Sequence, residues 1–317
     1  RALYGTELEN SVTRLEQFAE CAFAHYMTYG LGLSQRELQE FAGVDMGNIY
    51  HDALWHFAER IRRSSYTWYD LPEQMREAWI EESMNDAIAG CANVGAFDEA
   101  KNRYLLSRMK DTIRRTVWAL TIQVQKGRFT PSDFEVSFSQ ADHLEAIRFQ
   151  LTEEEKMRLR GRIDRVDTCE TDDKVYVKII DYKTGNTSFQ LLNLYHGLQL
   201  QLVVYLNAAL EVTAKKYPQK TAVPAGIFYY HVDDPYAEGR AEMSEEEIGE
   251  EILQRLKLDG IVNSEEDVWR AMDTEMESES HVIPVKLKKD GTISATSKTL
   301  SETAFSNVGA FATEKIK

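Results

Sequence analysis

The sequence predicts an α/β protein: a mixed central β-sheet flanked by helices, with a helical N-terminal region. Three observations predict it. Apolar residues recur at helical spacing through residues 1–128. The period switches to two from residue 129, as in half-buried strands. Beyond residue 190 a long apolar helical pattern leads into another apolar strand, so helices flank strands on both sides. The same shifts divide the chain into a helical region (1–128), an α/β core (129–232) and an acidic extension (233–317), read together as one domain spanning 1–317.

The elements follow in order. Thr13 and Glu16 fit a capping box ahead of the apolar run Leu15, Phe18, Ala19, Ala22, Phe23 and Tyr26. Tyr50, Leu54, Phe57, Ala58 and Ile61 predict a helix over Gly47–Arg62. Further helices are predicted over Pro72–Gly90 and Phe97–Gly127. Phe134, Val136 and Phe138 alternate with Glu135 and Ser137, which predicts a strand. Strands over Met157–Thr168 and Val175–Lys183 flank the turn-like Glu170–Lys174. A helix over Leu191–Ala214, a strand over Ala225–His231 and a helix over Ser244–Leu256 come next. Asp290-Gly291 within Val285–Ile293 predicts a tight hairpin.

Composition narrows the function. The 317 residues carry 37 Lys and Arg against 52 Asp and Glu, a formal charge of −15, and 43% are hydrophobic. So apolar a chain can build a core, which excludes a disordered protein. Three cysteines exclude a disulfide framework and point to a reducing, cytoplasmic setting. No stretch reaches the about 18 apolar residues of a membrane span, and no signal peptide opens the chain. A start at Arg1 and a stop at Lys317 read as an excised piece. A charge of −15 argues against nucleic acid, but the charge is uneven. Residues 240–279 hold 14 acids and four bases, whereas residues 101–128 hold eight bases and one acid. That basic helix, with Arg114 and Arg115, could follow a phosphate backbone; a solvated helix face is the plain alternative.

The chemistry sits on the strands. Val175, Val177, Ile179, Asp181 and Lys183 share one strand face, so an apolar face ends in an acid and a lysine. A hairpin with the preceding strand would bring Asp164 or Asp167 beside Asp181. Two carboxylates converging near a lysine suit metal-assisted hydrolysis of a phosphodiester. Mg²⁺ or Mn²⁺ takes oxygen ligands and activates water, and the lysine orients that water or stabilises developing negative charge. An ordinary ion pair at a sheet edge is the competing explanation.

At this point the residues resemble a known family. Gly161-Arg-Ile-Asp164 and Asp181-Tyr-Lys183 resemble the signature of the PD-(D/E)XK nuclease superfamily in its RecB-like branch. Gly47-Asn-Ile-Tyr-His51 resembles that branch's G-x-x-x-H helix motif, and Gln201-Leu-Val-Val-Tyr205 its Q-x-x-x-Y helix. Ser11-Val-Thr-Arg-Leu-Glu-Gln-Phe-Ala-Glu-Cys21 resembles the start of the nuclease domain in B subunits of AddAB/RexAB helicase–nucleases. The similarity continues through Pro224–Val232 and Val285–Gly291. It implies a restriction-endonuclease-like core and a Mg²⁺- or Mn²⁺-dependent DNA exonuclease. The cellular work implied is resection of double-strand breaks with a helicase–nuclease A subunit as partner, away from any membrane.

Roles carry over by resemblance. Asp164 and Asp181 match metal-binding carboxylates, Lys183 the catalytic lysine, His51 a metal ligand, and the Tyr182 backbone carbonyl a further one. Gln201 and Tyr205, one helical turn apart, match residues around the substrate strand, as packing of Tyr205 on the sheet would also explain. Glu135 is an extra acid on the neighbouring strand, and Asp167 has the right chemistry at the wrong motif position. Cys21 matches the first of four cysteines that hold a 4Fe-4S cluster in the family. No cysteine follows Cys169, so no cluster is expected in this chain. Cys91 and Cys169 read as buried apolar residues. No Gly-rich phosphate loop is present, so no ATP site is expected. Two rivals remain. Ser107-Arg-Met-Lys110 and Lys183-Thr-Gly185 match two of three serine β-lactamase motifs, without Ser-Asp-Asn. The other rival is a catalytically silent nuclease-like module that grips DNA or docks a partner.

Overall fold

A computed structural model describes residues 7–34, 43–91, 100–137, 147–238 and 243–317. The chain opens with β1 (Glu7–Ser11), α1 (Val12–Glu20), α2 (Ala22–His25) and a π-helical turn, Tyr26–Gly30. Ser11 caps α1 by accepting from the Arg14 amide at 3.2 Å. The helix therefore starts ahead of Thr13, the predicted Thr13/Glu16 box does not form, and the Glu16 carboxylate is free to reach another element. Three long helices follow: α3 (Gly43–Arg63), α4 (Glu73–Ala89) and α5 (Ala100–Gln125). Pro72 and Gly90 bracket α4 as the sequence pattern predicts. The predicted helix start at Phe97 lies outside the described residues.

The strands come next: β2 (Thr130–Ser137), β3 (Arg148–Gln150), β4 (Lys156–Arg160), β5 (Arg162–Glu170) and β6 (Lys174–Lys183). Phe138, predicted to extend the first of these, is outside the described residues. The predicted strand Met157–Thr168 is in fact two. The chain changes sheets at Gly161, leaving β4 in a three-stranded sheet of order β1-β4-β3 and sending β5 into a larger one. Alternation cannot signal such a break, because both halves keep a period of two.

After β6 the predicted helix Leu191–Ala214 also divides, into α6 (Leu191–Tyr195) and α7 (Gln201–Lys216). Gly197 between them has φ +78°, which a side chain would strain. Gln199 braces the turn, its Oε1 accepting from the Gln190 amide and its Nε2 donating to the Ser188 carbonyl, both at 2.8 Å. The break makes Gln201 the first residue of α7.

The remainder comprises β7 (Thr221–His231), α8 (Glu245–Arg255), β8 (Asp259–Asn263), α9 (Glu266–Met272), β9 (Thr299–Leu300) and α10 (Glu302–Ile316). Ser244 and Glu247 close a full capping box on α8. Asp290-Gly291 does turn the chain, with Gly291 at φ +80°. Pairing there is limited to isolated bridges such as Leu287↔Ile293 rather than a ladder. Of the acidic segment, Arg240 and Glu242 lie outside the described residues.

The larger sheet has six strands in the order β2-β5-β6-β7-β8-β9. β5 and β6 form an antiparallel hairpin, and β6 and β7 run parallel across the α6–α7 crossover. Side-chain alternation splits β6 between two cores. Tyr176, Ile180 and Tyr182 pack with Leu54, Phe57, Val117 and Tyr230 beneath α3 and α5. Val177 and Ile179 pack with Leu202, Leu206 and Tyr229 beneath α7. Asp181 and Lys183 therefore emerge on the α7 side, where the apolar face ends.

Asp167 is a structural acid. It accepts from Arg165 Nε and Nη2 at 2.6 and 2.8 Å and lies 3.3 Å from Lys178 Nζ, all three residues being buried. Removing one member leaves buried charge unpaired. Asp167→Ala should lower the unfolding free energy by about 3–5 kcal/mol, read from urea denaturation. A change under about 1 kcal/mol would show that the two cations find other partners.

Candidate active site

Register decides which acids meet. The last β5–β6 pair at this end is Arg165↔Ile180, and one step further Asp164 stands beside Asp181. Asp164 Oδ2 accepts from the Tyr182 amide at 2.8 Å, which locks the carboxylate against β6. Asp167 instead pairs across from Lys178. From the other side α3 brings His51, whose Nδ1 is 3.3 Å from Asp164 Oδ1. The His51 ring also meets the Tyr182 ring edge-on, with centroids 5.9 Å apart.

β2 supplies a further acid. The flanking pairs Phe134↔Arg165 and Val136↔Ile163 set Glu135 across from Asp164. Donor atoms of His51, Glu135 and Asp164 all lie within 4.8 Å of one another. Glu135 adopts φ +52°, a left-handed conformation costing about 1–3 kcal/mol for a residue with a Cβ. Arg162 pairs with its carboxylate. The sequence marked Glu135 only as an extra acid on an alternating strand; its strained backbone leaves no trace there.

On the α7 side, Lys183 Nζ lies 2.6 Å from Asp181 Oδ2 and donates to Gln201 Oε1 at 3.3 Å. Gln201 Nε2 donates to Asp181 Oδ1 at 2.7 Å, closing a ring of three side chains. Tyr205, one turn along, is buried and hydrogen-bonds to Gln201. Burial, and then the Asp181 charge, push its hydroxyl above the ordinary tyrosine range.

Crowded acids carry an electrostatic cost. Burial, then the Asp164 charge, push Asp181 up to about 7 despite Lys183 and His51. Burial and the Asp164 charge likewise push Glu135 up to about 7. For His51, burial disfavours the charged form. The hydrogen bond and charge of Asp164, backed by Asp181 and Glu135, prevail and raise its pKa. A divalent cation fits the donor atoms of His51, Glu135 and Asp164, one imidazole and two carboxylates converging, with Asp181 next to Asp164 on β6.

The remaining predicted residues sit elsewhere. Arg114 donates to Glu77 and Asp111 at 2.7 and 2.8 Å, and Arg115 donates to Asp234 at 3.4 Å and covers the Trp118 ring. The Cys21 thiol is exposed and accepts from the Ala24 amide at 3.4 Å, capping α2. Cys169 is buried as expected, while Cys91 is only partly so. No helix among the described residues is long and apolar enough to cross a membrane.

A hairpin end with two carboxylates and a lysine, faced by a helix histidine, is a candidate site for metal-assisted hydrolysis. The sequence profile of the PD-(D/E)XK nuclease superfamily matches residues 9–289, and the chain belongs to that superfamily. Its relatives include the B subunit of the ATP-dependent helicase/deoxyribonuclease of Lachnoclostridium phytofermentans, 39% identical over 311 residues, covering 95% of this chain and 26% of that protein. The B subunit of the same name from Caldanaerobacter subterraneus subsp. tengcongensis is 36% identical over 320 residues, covering 100% of this chain and 27% of its own length. That from Alkaliphilus oremlandii is 35% identical over 305 residues, covering 96% and 26%. The chain thus spans about a quarter of the length of the curated relatives it matches.

The raised carboxyls set a pH dependence. Asp181 and Glu135 hold protons to about 7 when folded, against ordinary values of 3.8 and 4.5. Between those values the native chain binds more protons than the unfolded one, so metal-free stability falls as pH rises from about 4 to about 7. His51, also raised, adds a loss of the same sign above its ordinary 6.5. Thermal unfolding across pH should show this slope, Asp181→Asn should flatten it, and Mn²⁺ should stabilise more at pH 8 than at pH 6. A flat profile in metal-free buffer would contradict the crowding.

Proposed function

We propose that this chain is the nuclease module of a helicase–nuclease subunit, hydrolysing DNA phosphodiester bonds with Mg²⁺ or Mn²⁺. The observation that carries this reading is the convergence of Asp164, Asp181 and Lys183 at one hairpin end, opposite His51. Superfamily membership and the names of the relatives support it. One six-stranded sheet shared by both cores supports reading the whole chain as a single nuclease domain.

His51, Asp164 and Asp181 are the proposed ligands of the cation, with the Tyr182 carbonyl and Glu135 beside them. When bound, the cation would neutralise the scissile phosphate and make water a better nucleophile at neutral pH. Every other step falls to the chain. Lys183, held by Asp181 and Gln201, keeps an ammonium where charge develops on the phosphate. Gln201 and Tyr205 line the proposed seat of the substrate strand. Asp164, fixed by the Tyr182 amide, needs little reorganisation as charge moves. Away from this cluster, Arg114 and Arg115 keep 45% and 36% of their side chains exposed, so phosphate can compete with their carboxylate partners.

In the longer protein we place this module beside a helicase–nuclease A subunit, acting as an exonuclease in the cytoplasm to resect double-strand breaks for recombination and repair. Cys21, with its exposed thiol, is the proposed first ligand of a 4Fe-4S cluster in that full-length protein.

Cleavage of a labelled single-stranded oligonucleotide tests the reading. The chain should cut with Mg²⁺ or Mn²⁺, lose activity to EDTA, and lose about 10²–10³-fold in rate on Lys183→Ala or Asp181→Ala. DNA left uncut with either ion, and bound no differently by Asp181→Ala, would make the chain a catalytically silent binding or docking module. Reversing the charge of Arg114 and Arg115 should weaken DNA binding and flatten its salt dependence. Unchanged binding would assign both arginines to their pairs within the chain.

A further inference from the structure

Glu16 stands within the Ser11–Cys21 stretch, far in sequence from the acids, lysine and glutamine of the site, yet reaches the backbone that carries Gln201. Its Oε1 accepts from the Leu200 amide at 2.7 Å and from the Gln201 amide at 3.0 Å, across 184 and 185 residues. Those amides open α7, where donors lack partners within the helix and a negative charge is favoured by the helix dipole. No side chain of α7 itself caps this end.

The same end is built by tertiary packing. The α6–α7 break depends on Gly197, where a Cβ would lie 3.3 Å from the Cβ of Ala19 on α1. α1 thus packs against the turn that precedes α7 and supplies the carboxylate that caps the helix. Gln201, the first residue of the helix, bridges Asp181 at 2.7 Å and Lys183 at 3.3 Å. An amide must offer its oxygen to the lysine and its nitrogen to the carboxylate at once. A frayed first turn would lose that alignment.

We infer that Glu16 is a positioning residue for the nuclease reaction: it anchors the start of α7 so that Gln201 can align Asp181 and Lys183. Val12, Leu15 and the α7 residues Leu202, Val203 and Leu206 belong to one apolar core, so α1 is held firmly enough to act as that anchor. The inference rests on the nuclease reading and gives a role to a residue outside its proposed catalytic, metal and substrate set.

A double-mutant cycle on the full chain tests it. With Mn²⁺ and a single-stranded oligonucleotide varied through saturation, Glu16→Ala should lower kcat about tenfold and leave KM nearly unchanged. Glu16→Gln keeps the acceptor oxygen and should recover most of that rate. In a Gln201→Ala background Glu16→Ala should add no further loss, because the effect passes through Gln201. Glu20→Ala, an exposed change on the same helix, controls for general weakening of α1. Additive losses, or a wild-type rate for Glu16→Ala, overturn the inference. Should Glu16→Ala fail to fold, Glu16→Asp carries the test, its shorter side chain predicting a folded protein with a lowered rate. If the unaltered chain cuts no DNA, the nuclease reading fails by itself. A crystal structure of Glu16→Ala then decides the positioning: Gln201 displaced from Asp181 supports it, and Gln201 still 2.7 Å from Asp181 overturns it.

Discussion

Antiparallel pairing of β5 with β6 sets almost everything at the candidate site. The Arg165↔Ile180 pair fixes Asp164 next to Asp181, and Asp167 next to Lys178. A slip of one residue would exchange every side chain between the two faces of the sheet. It would also send Asp181 and Lys183 into the aromatic core beneath α3. The buried Arg165–Asp167–Lys178 cluster lies within the same hairpin and is satisfied only in this register. Stability and chemistry therefore depend on one pairing, with the structural acid on one face and the chemical acids at the end.

Around that hairpin the fold tolerates unfavourable local states. Glu135 sits in a strained backbone conformation, and Asp181 and Glu135 resist ionisation at neutral pH. Each raises the free energy of the native state, and such departures persist where surrounding structure over-determines them. Here the surroundings are a rigid sheet, the aromatic packing of Tyr182 against His51 and Tyr230, and an apolar core on each face. Repulsion among the acids is what makes the set receptive to a cation.

The surface charge has a similar internal logic. The net charge of −15 first argues against a nucleic-acid substrate. Much of the acid is committed within the fold. Glu247 completes the α8 capping box, Glu279 pairs with Lys257 and Lys286, and Asp234 receives Arg108 and Arg115. Likewise the basic residues of α5 are largely matched, with Lys110 on Glu81 and Arg114 on Glu77. Segment totals therefore say little about the field a DNA strand would meet; pairing across elements sets it.

The long helices α3, α4 and α5, the β6 strand and the α8 helix could be read from periodicity and turn residues, because each is decided within a few residues of its own sequence. The motif residues His51, Asp164, Asp181, Lys183, Gln201 and Tyr205 were visible for the same reason, being short patterns on single elements. Other features left little local signal. Only a lone glycine marked each of the breaks at Gly161 and Gly197, and β1, β3, β8, β9 and α9 were short. α10 does carry a signal of its own, a Ser301 cap ahead of Phe305, Val308, Ala312 and Ile316 at helical spacing, which the sequence reading passes over. The choice of Asp164 over Asp167, the strain at Glu135 and the reach of Glu16 to α7 depend on partners 18 to 185 residues away. By itself the sequence determined which chemistry-bearing groups exist and which faces of their own elements they occupy. Only the tertiary structure decided which of them meet, since strand register and helix packing are settled by contacts between distant segments.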